Sequence, residues 1–236
     1  MPNEEVTPFK TDALMPDEHG LAKGLVRIHL VISRGVGVAR QRSHAYASGE
    51  PAEPSVTAGF ADYLRALVSV LHGHHTAEDE VTFPALRDRF PDAPWDLLLE
   101  EHRAVVPVLA DLEGHAARIR QQPSPDTWAS AAETLDRLAA LWATHYQREE
   151  AYFTVPVLAR LVPQDEQAGL VAKMAAHSQQ HTGPDYLVVP FLLYNLDGDE
   201  RRRMTALFPS VVTEQLVPIV WQEKWSAMKP FLLAQD

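Results

Sequence analysis

Residues 74–86 have the sequence HHTAEDEVTFPAL, and this stretch contains an H-x-x-x-E pair, His74 and Glu78. Residues four apart lie on one face of a helix, so the pair presents an imidazole and a carboxylate to a common point. The two residues continue an apolar line through Leu67 and Leu71. Polar groups on an apolar face are costly to bury unless they are paired or bind a metal. The stretch therefore predicts a helix whose buried face carries metal ligands.

The same pattern occurs a second time along the chain. His145 and Glu149 form another H-x-x-x-E pair, on a later predicted helix. A further histidine lies on the helix before each pair, His29 before the first and His102 before the second. An isolated pair of this kind is weak evidence, because chance and surface ion pairs produce it. The repeated order, with all four histidines on apolar faces, is much stronger evidence for a metal site.

Apolar periodicity predicts helices at about residues 17–44, 57–84, 94–121 and 126–161. Four long helices with short connections predict an all-α fold, an antiparallel up-down-up-down four-helix bundle. We place a flexible N-terminal tail at residues 1–16, the bundle at 17–163 and a C-terminal helical extension at 164–236. In such a bundle a histidine from each helix and a carboxylate from each of two helices can meet, as a dinuclear site requires.

Composition excludes several classes of site. There is no cysteine, so thiolate zinc sites and cysteine-ligated iron–sulfur clusters are excluded, and histidine with carboxylate suits iron, manganese or zinc. The net charge of −11 argues against nucleic acid as a partner. The first residues lack an apolar signal segment, and no apolar stretch is long enough to span a membrane. We expect a cytoplasmic protein and assign no protein partner.

The chain resembles the HHE cation-binding domain of hemerythrin-like proteins in the ordered set His29, His74-x-x-x-Glu78, His102 and His145-x-x-x-Glu149. The likeness covers about residues 18–162, and the segment after it is similar to a tail of bacterial, notably actinobacterial, members. The resemblance implies a four-helix bundle and two iron ions, bridged by carboxylates and an oxo or hydroxo species, with manganese or zinc as alternatives. It also implies the ligand roles: the four histidines as terminal ligands, and Glu78 and Glu149 as bridges.

Two departures from the family pattern bear on the site. Oxygen-carrying hemerythrin has a further histidine one turn after the position of His102, where this chain has Val106. Fewer histidines leave coordination positions open, which favours redox chemistry over oxygen carriage. In addition, Pro156 lies one residue farther from His145 than Pro84 lies from His74. This register keeps Glu150 as an alternative to Glu149.

Three further residues are candidates for roles near the metals. His75 and Asp79 form an H-x-x-x-D pair at the edge of the apolar stripe, where a supporting or surface role is favoured over ligation. Tyr146 follows His145 and could donate a hydrogen bond to a bound oxygen species, or simply pack in the core.

Three hypotheses for function follow. The first is a di-iron protein that binds or reduces a small oxidant (O2, hydrogen peroxide or nitric oxide), in oxidative or nitrosative stress, with a catalase-like activity among those the resemblance suggests. The second is a metal- or oxygen-sensing module that signals through the extension. The third is a structural helical protein with core histidines.

Overall fold

The computed structural model describes residues 20–233, which are predominantly helical with no β-strand among them. The all-α prediction is therefore confirmed. The tail predicted at residues 1–16 lies outside the described residues. None of the helices within 20–233 combines the length and the apolar composition that crossing a membrane would require.

Four long helices dominate the first two thirds of the chain: α1 (Leu21–Ala47), α2 (Pro54–Ala77), α4 (Trp95–Gln121) and α5 (Pro125–Tyr152). A π-helical turn, Glu78–Thr82, follows α2 and leads into the short helix α3 (Phe83–Leu86). Pro54 and Pro125 occupy first helical positions, where a missing N–H costs nothing. Ser124 caps α5, because its hydroxyl accepts a hydrogen bond from the Thr127 N–H at 3.2 Å.

Side-chain contacts define how these helices pair. α1 packs against α5 and α2, and α4 packs against α2 and α5. Arg40, late in α1, pairs with Asp136, early in α5, whereas His29, early in α1, contacts Glu150 near the end of α5. These two helices are therefore antiparallel. The same reversal relates α4 to its neighbours, through Asp62–Arg120 and Asp79–His102 to α2 and through Glu101–His145 and Asp111–Arg137 to α5.

Two predicted helix ends differ from the structure at prolines. The helix predicted at 126–161 ends at Tyr152, and a separate helix, α6 (Val155–Leu161), follows it. Pro156 lacks an N–H and would clash with the preceding turn, so it lies in the first turn of the new helix instead. Upstream of Pro84 the chain widens into the π-helical turn. We attribute this turn to the same crowding, here of the Glu80 carbonyl.

The C-terminal segment contains more and shorter helices than the one or two predicted at 199–229. Its elements are α7 (Gln164–His181), α8 (Asp185–Tyr194), α9 (Gly198–Ala206), a π-helical segment (Val212–Val220), α10 (Gln222–Trp225) and a 3-10 helix (Ser226–Phe231). Pro218 and Pro230 interrupt regular α-helical bonding in two of these segments. α7, α8 and the 3-10 helix all pack on α2.

A buried polar contact ties this segment to the long helices. Asn195 is 2% exposed, and its side-chain oxygen accepts hydrogen bonds from the Tyr63 hydroxyl at 2.8 Å and the Arg34 guanidinium at 2.9 Å. The Tyr63 ring also packs against Phe191 and Phe231, with centroids 4.9 and 5.7 Å away. The extension therefore shares one hydrophobic core with the long helices.

A glycine in α2 permits the closest of these approaches. A Cβ added at Gly59 would lie 1.8 Å from the Ala227 carbonyl oxygen, whereas one added at Gly37 would meet nothing within 4 Å. We expect Gly59→Ala to lower the free energy of unfolding by about 3 kcal/mol, because the backbone of the extension must move. Gly37→Ala should be neutral or stabilise by up to about 1 kcal/mol. Urea denaturation of both variants measures this, and equal midpoints would show that the extension does not pack on α2 as described.

Candidate metal centre

Six of the predicted ligand residues meet in the interior of the long helices. They are His29 on α1, His74 at the end of α2, Glu78 in the π-helical turn, His102 on α4, and His145 and Glu149 on α5. Each of the six is 5% exposed or less. Four separate helices thus turn an imidazole inward, and two acids join them.

The six side chains form two overlapping groups of four. One group is His29, His74, Glu78 and Glu149, and the other is Glu78, His102, His145 and Glu149. Within each group the potential ligand atoms all lie within 4.8 Å of one another. Glu78 and Glu149 belong to both groups. The arrangement suits two neighbouring cations that share two carboxylates.

Each shared carboxylate lies between one histidine of each group. Glu78 Oε2 is 3.3 Å from His74 Nε2 and 3.6 Å from His102 Nε2. Glu149 Oε2 is 3.2 Å from His29 Nε2 and 3.3 Å from His145 Nε2. The two acids are therefore placed alike, although Glu78 lies in a π-helical turn and Glu149 in a regular helix.

Glu150 is placed differently from Glu149. Its carboxylate is about one-third exposed and accepts a hydrogen bond from His29 Nδ1 at 2.8 Å, on the side of that ring away from Glu149. Glu150 therefore supports an imidazole from behind, whereas Glu149 faces all the inner histidines that surround it. The proline register that kept Glu150 as an alternative reflects the π-helical turn before Pro84, because that turn changes the spacing in the first half of the chain.

Carboxylates stand behind two more of the imidazoles. His102 Nδ1 donates to Asp79 at 2.6 Å, and His145 Nδ1 donates to Glu101 at 3.2 Å, which itself pairs with Arg148. An imidazole that donates from Nδ1 keeps its Nε2 lone pair free to face the centre. Such outer partners fix the ring orientation of a metal-binding histidine and make it a better ligand.

Several inner atoms have no hydrogen-bond partner although they are buried. Among the residues that the structure describes, they include His29 Nε2, His74 Nε2, Glu78 Oε2 and both carboxylate oxygens of Glu149. Buried polar atoms are nearly always satisfied, because leaving one unpaired costs about 1–3 kcal/mol. A cation between them would satisfy nitrogen and oxygen atoms together. The donor set therefore fits a metal such as iron, manganese or zinc.

The acids and imidazoles perturb each other's protonation. Burial, with the charge of Glu149, raises the pKa of Glu78 well above its ordinary value. Burial alone would also raise the pKa of Glu149, but hydrogen bonds from His145 and His29 outweigh it and hold that pKa below its ordinary value. Burial lowers the pKa of His74 well below its ordinary value. The cluster thus favours neutral imidazoles, which are the form that binds metals.

His75 lies inside the molecule, not on its surface. It is 6% exposed, and its ring stacks on that of His102 with centroids 4.0 Å apart. Its Nε2 is buried with no hydrogen-bond partner, and His74, His75 and His145 offer atoms within 4.8 Å of one another. His75 is therefore a fifth imidazole at the centre. Its predicted partner Asp79 instead hydrogen-bonds His102.

Two aromatic side chains complete the wall behind His29. The Tyr146 ring centroid is 5.8 Å from that of His29, and the Trp142 centroid is 5.2 Å from it. Sequence patterns missed the role of Trp142 at this position, and they missed Glu101 altogether. Neither has a spacing relation to the H-x-x-x-E pairs, because both reach the centre through packing between helices.

A mainly apolar cavity of about 190 Å³ adjoins the cluster. His74 and Glu78 line one part of it, and α7 and α8 contribute side chains such as Val171, Met174 and Val188. The extension thus forms part of the wall around the space beside these two residues.

Comparison with known proteins gives one result. A protein-family model described as the hemerythrin HHE cation binding domain matches residues 21–118 and 93–183. The first match includes α1, α2 and α4, and the second includes α4, α5 and α7, so both halves of the ligand pattern are covered. Searches of curated proteins and of solved structures give no match.

Proposed function

Because this chain belongs to the hemerythrin family of HHE cation-binding domain proteins, we propose that it is a non-haem di-iron protein that binds or reduces a small oxidant. One observation carries the proposal: two groups of buried ligand atoms share the carboxylates of Glu78 and Glu149. We place this activity in the response to oxidative or nitrosative stress. We also propose that the four antiparallel long helices form the up-down-up-down bundle.

In this proposal each iron has its own pair of histidines. His29 and His74 hold one ion, His102 and His145 hold the other, and Glu78 and Glu149 bridge them. A ferrous pair bound there would supply two electrons to an oxidant. The outer carboxylates of Glu150, Asp79 and Glu101 keep the imidazoles oriented and in the tautomer that ligation needs.

The surroundings of the centre favour small uncharged ligands. The adjoining cavity is mainly apolar, so charged anions would lose hydration without gaining partners. O2, nitric oxide and hydrogen peroxide are small and uncharged, and they fit this chemistry. Val106, which replaces the additional histidine of oxygen carriers, is 58% exposed, so its side chain does not fill the open position. Reduction of the oxidant is therefore favoured over simple carriage.

The test is consumption of oxidant by the iron-loaded protein. We expect protein loaded with ferrous iron to consume hydrogen peroxide, O2 or nitric oxide and to gain the near-ultraviolet absorption of a bridged ferric pair. His74→Ala should abolish both signals, while His72→Ala should keep them, because His72 is an exposed neighbour outside the ligand groups. Equal turnover in the two variants, or none in the parent protein, would refute the enzymatic proposal.

A sensing function is the second candidate, and one observation favours it. α7, the first long helix of the extension, packs against the turn Glu78–Thr82 that carries a proposed bridging residue. A change at Glu78 could therefore reach the extension directly. Strong dependence of stability on metal, without any oxidant turnover, would favour this function.

A further inference from the structure

A second cluster of potential ligands lies where the extension meets the π-helical turn. His177 and His181 stand four residues apart on α7, and Glu80 lies on the turn. Their ligand atoms all lie within 4.8 Å of one another. The sequence alone offers the two histidines as an H-x-x-x-H pair, and the third ligand becomes evident only when α7 packs against the turn.

The two imidazoles are already arranged as a pair. Their rings are nearly parallel, with centroids 4.0 Å apart and planes inclined by 16°. His181 Nδ1 donates to the backbone carbonyl of His177 at 2.8 Å, which leaves the Nε2 lone pair of His181 available. His177 Nε2 lies 2.9 Å from the Glu80 carboxylate. A hydrogen bond of this kind fixes the tautomer and orientation of a metal-binding histidine.

The cluster also contains an unsatisfied buried atom. His177 Nδ1 is buried without a hydrogen-bond partner, and the His177 side chain is 11% exposed although it belongs to a surface helix. The Glu80 carboxylate is 62% exposed, so the cluster opens to solvent on one side. An ion could therefore enter from solution, and water could complete its coordination.

This cluster is distinct from the buried centre. It shares no residue with the groups formed by the inner histidines and acids. Glu80 points outward from the turn, whereas Glu78 is 2% exposed. Two histidines and one carboxylate form a donor set that zinc uses in open sites. Magnesium and calcium prefer oxygen ligands and fit it poorly.

We propose that Glu80, His177 and His181 bind one divalent transition-metal ion of the zinc type. Such an ion would join α7 to the turn that carries Glu78 and Asp79. It would thereby fasten the extension onto the wall of the buried centre. The site itself depends on the packing of α7 alone and not on the function of that centre.

The experiment measures zinc bound by full-length protein that has first been loaded with iron. After dialysis against Zn²⁺, elemental analysis should find one more zinc ion per chain in the parent protein than in His181→Ala, at unchanged iron content. Because even outer partners of metal ligands contribute about 10–100-fold in affinity, loss of this ligand should weaken zinc binding on the order of 100-fold. His44→Ala is the control, since His44 is an exposed histidine that pairs with Asp136 and has no part in the cluster.

The outcomes are distinguishable from a folding defect and from the state of the buried centre. Circular dichroism checks that His181→Ala remains folded, and the difference of one ion is expected whether or not the inner cluster holds iron. Glu80→Gln should reproduce the loss without touching α7. Equal zinc content in the parent protein, His181→Ala and Glu80→Gln would overturn the proposal.

Discussion

Glu149→Gln is expected to reduce the iron content from two ions per chain to less than one, while Glu150→Gln keeps two. Glu149 contacts a histidine of each ligand group, at 3.2 Å from His29 and 3.3 Å from His145. Its loss therefore removes a ligand from both proposed ions. Glu150 contacts only the outer nitrogen of His29, so its loss should weaken one ion about 10–100-fold without preventing loading at high iron.

The pair of variants is a matched test, because the two residues are adjacent and undergo the same chemical change. Both are loaded anaerobically with ferrous iron, desalted and analysed for metal, and circular dichroism reports on folding. Iron retained in Glu149→Gln but lost in Glu150→Gln would reverse the assignment of the bridging residue.

Removal of the metal is expected to lower the melting temperature by roughly 10 °C. A ligand present at about a thousand times its dissociation constant stabilises the folded state by about 4 kcal/mol, and about 1 kcal/mol moves the midpoint of a chain of this size by about 2–4 °C. The physical cause is the set of buried atoms that only a cation satisfies, including His29 Nε2, His74 Nε2 and the Glu149 carboxylate.

Calorimetry before and after dialysis against a chelator measures this shift. His44→Ala should show the full shift, and His74→Ala should show little of it, because that variant lacks a ligand before the chelator is added. An unchanged melting temperature in the parent protein after complete removal of the metal would contradict the account.

The sequence located the inner residues because their spacing follows directly from helix geometry. Two H-x-x-x-E pairs, each with a histidine on the preceding helix, are enough to place His29 and His102 opposite those pairs. The outer partners could not be found in this way. Asp79 and Glu101 reach their histidines across the contacts of α4 with α2 and α5, and such contacts depend on how helices rotate against each other.

His75 illustrates the limit of a one-helix argument. It follows His74 directly, so on a single helix it points about 100° away from the inner face. That direction is the edge of the apolar stripe, which predicted a supporting or surface position. In the structure α4 covers this edge, and His75 stacks on His102. Burial at the edge of a stripe depends on the neighbouring helix, which periodicity does not describe.

The extension shows the same limit on the scale of the fold. Its prolines and apolar residues predicted helices, but nothing in their order indicated that Asn195 would accept hydrogen bonds from Tyr63 and Arg34. Nor did the sequence indicate that Gly59 leaves room for the Ala227 carbonyl. These contacts between distant parts of the chain place α7 beside the turn that carries Glu78.

The central claim is that two metal ions lie between the four inner histidines and share Glu78 and Glu149. An anomalous difference map, recorded at the iron absorption edge from crystals of the iron-loaded protein, tests it most directly. We predict two peaks, one beside His29 and His74 and the other beside His102 and His145, with both carboxylates in contact with each peak. A single peak, or none among these six side chains, would contradict the claim.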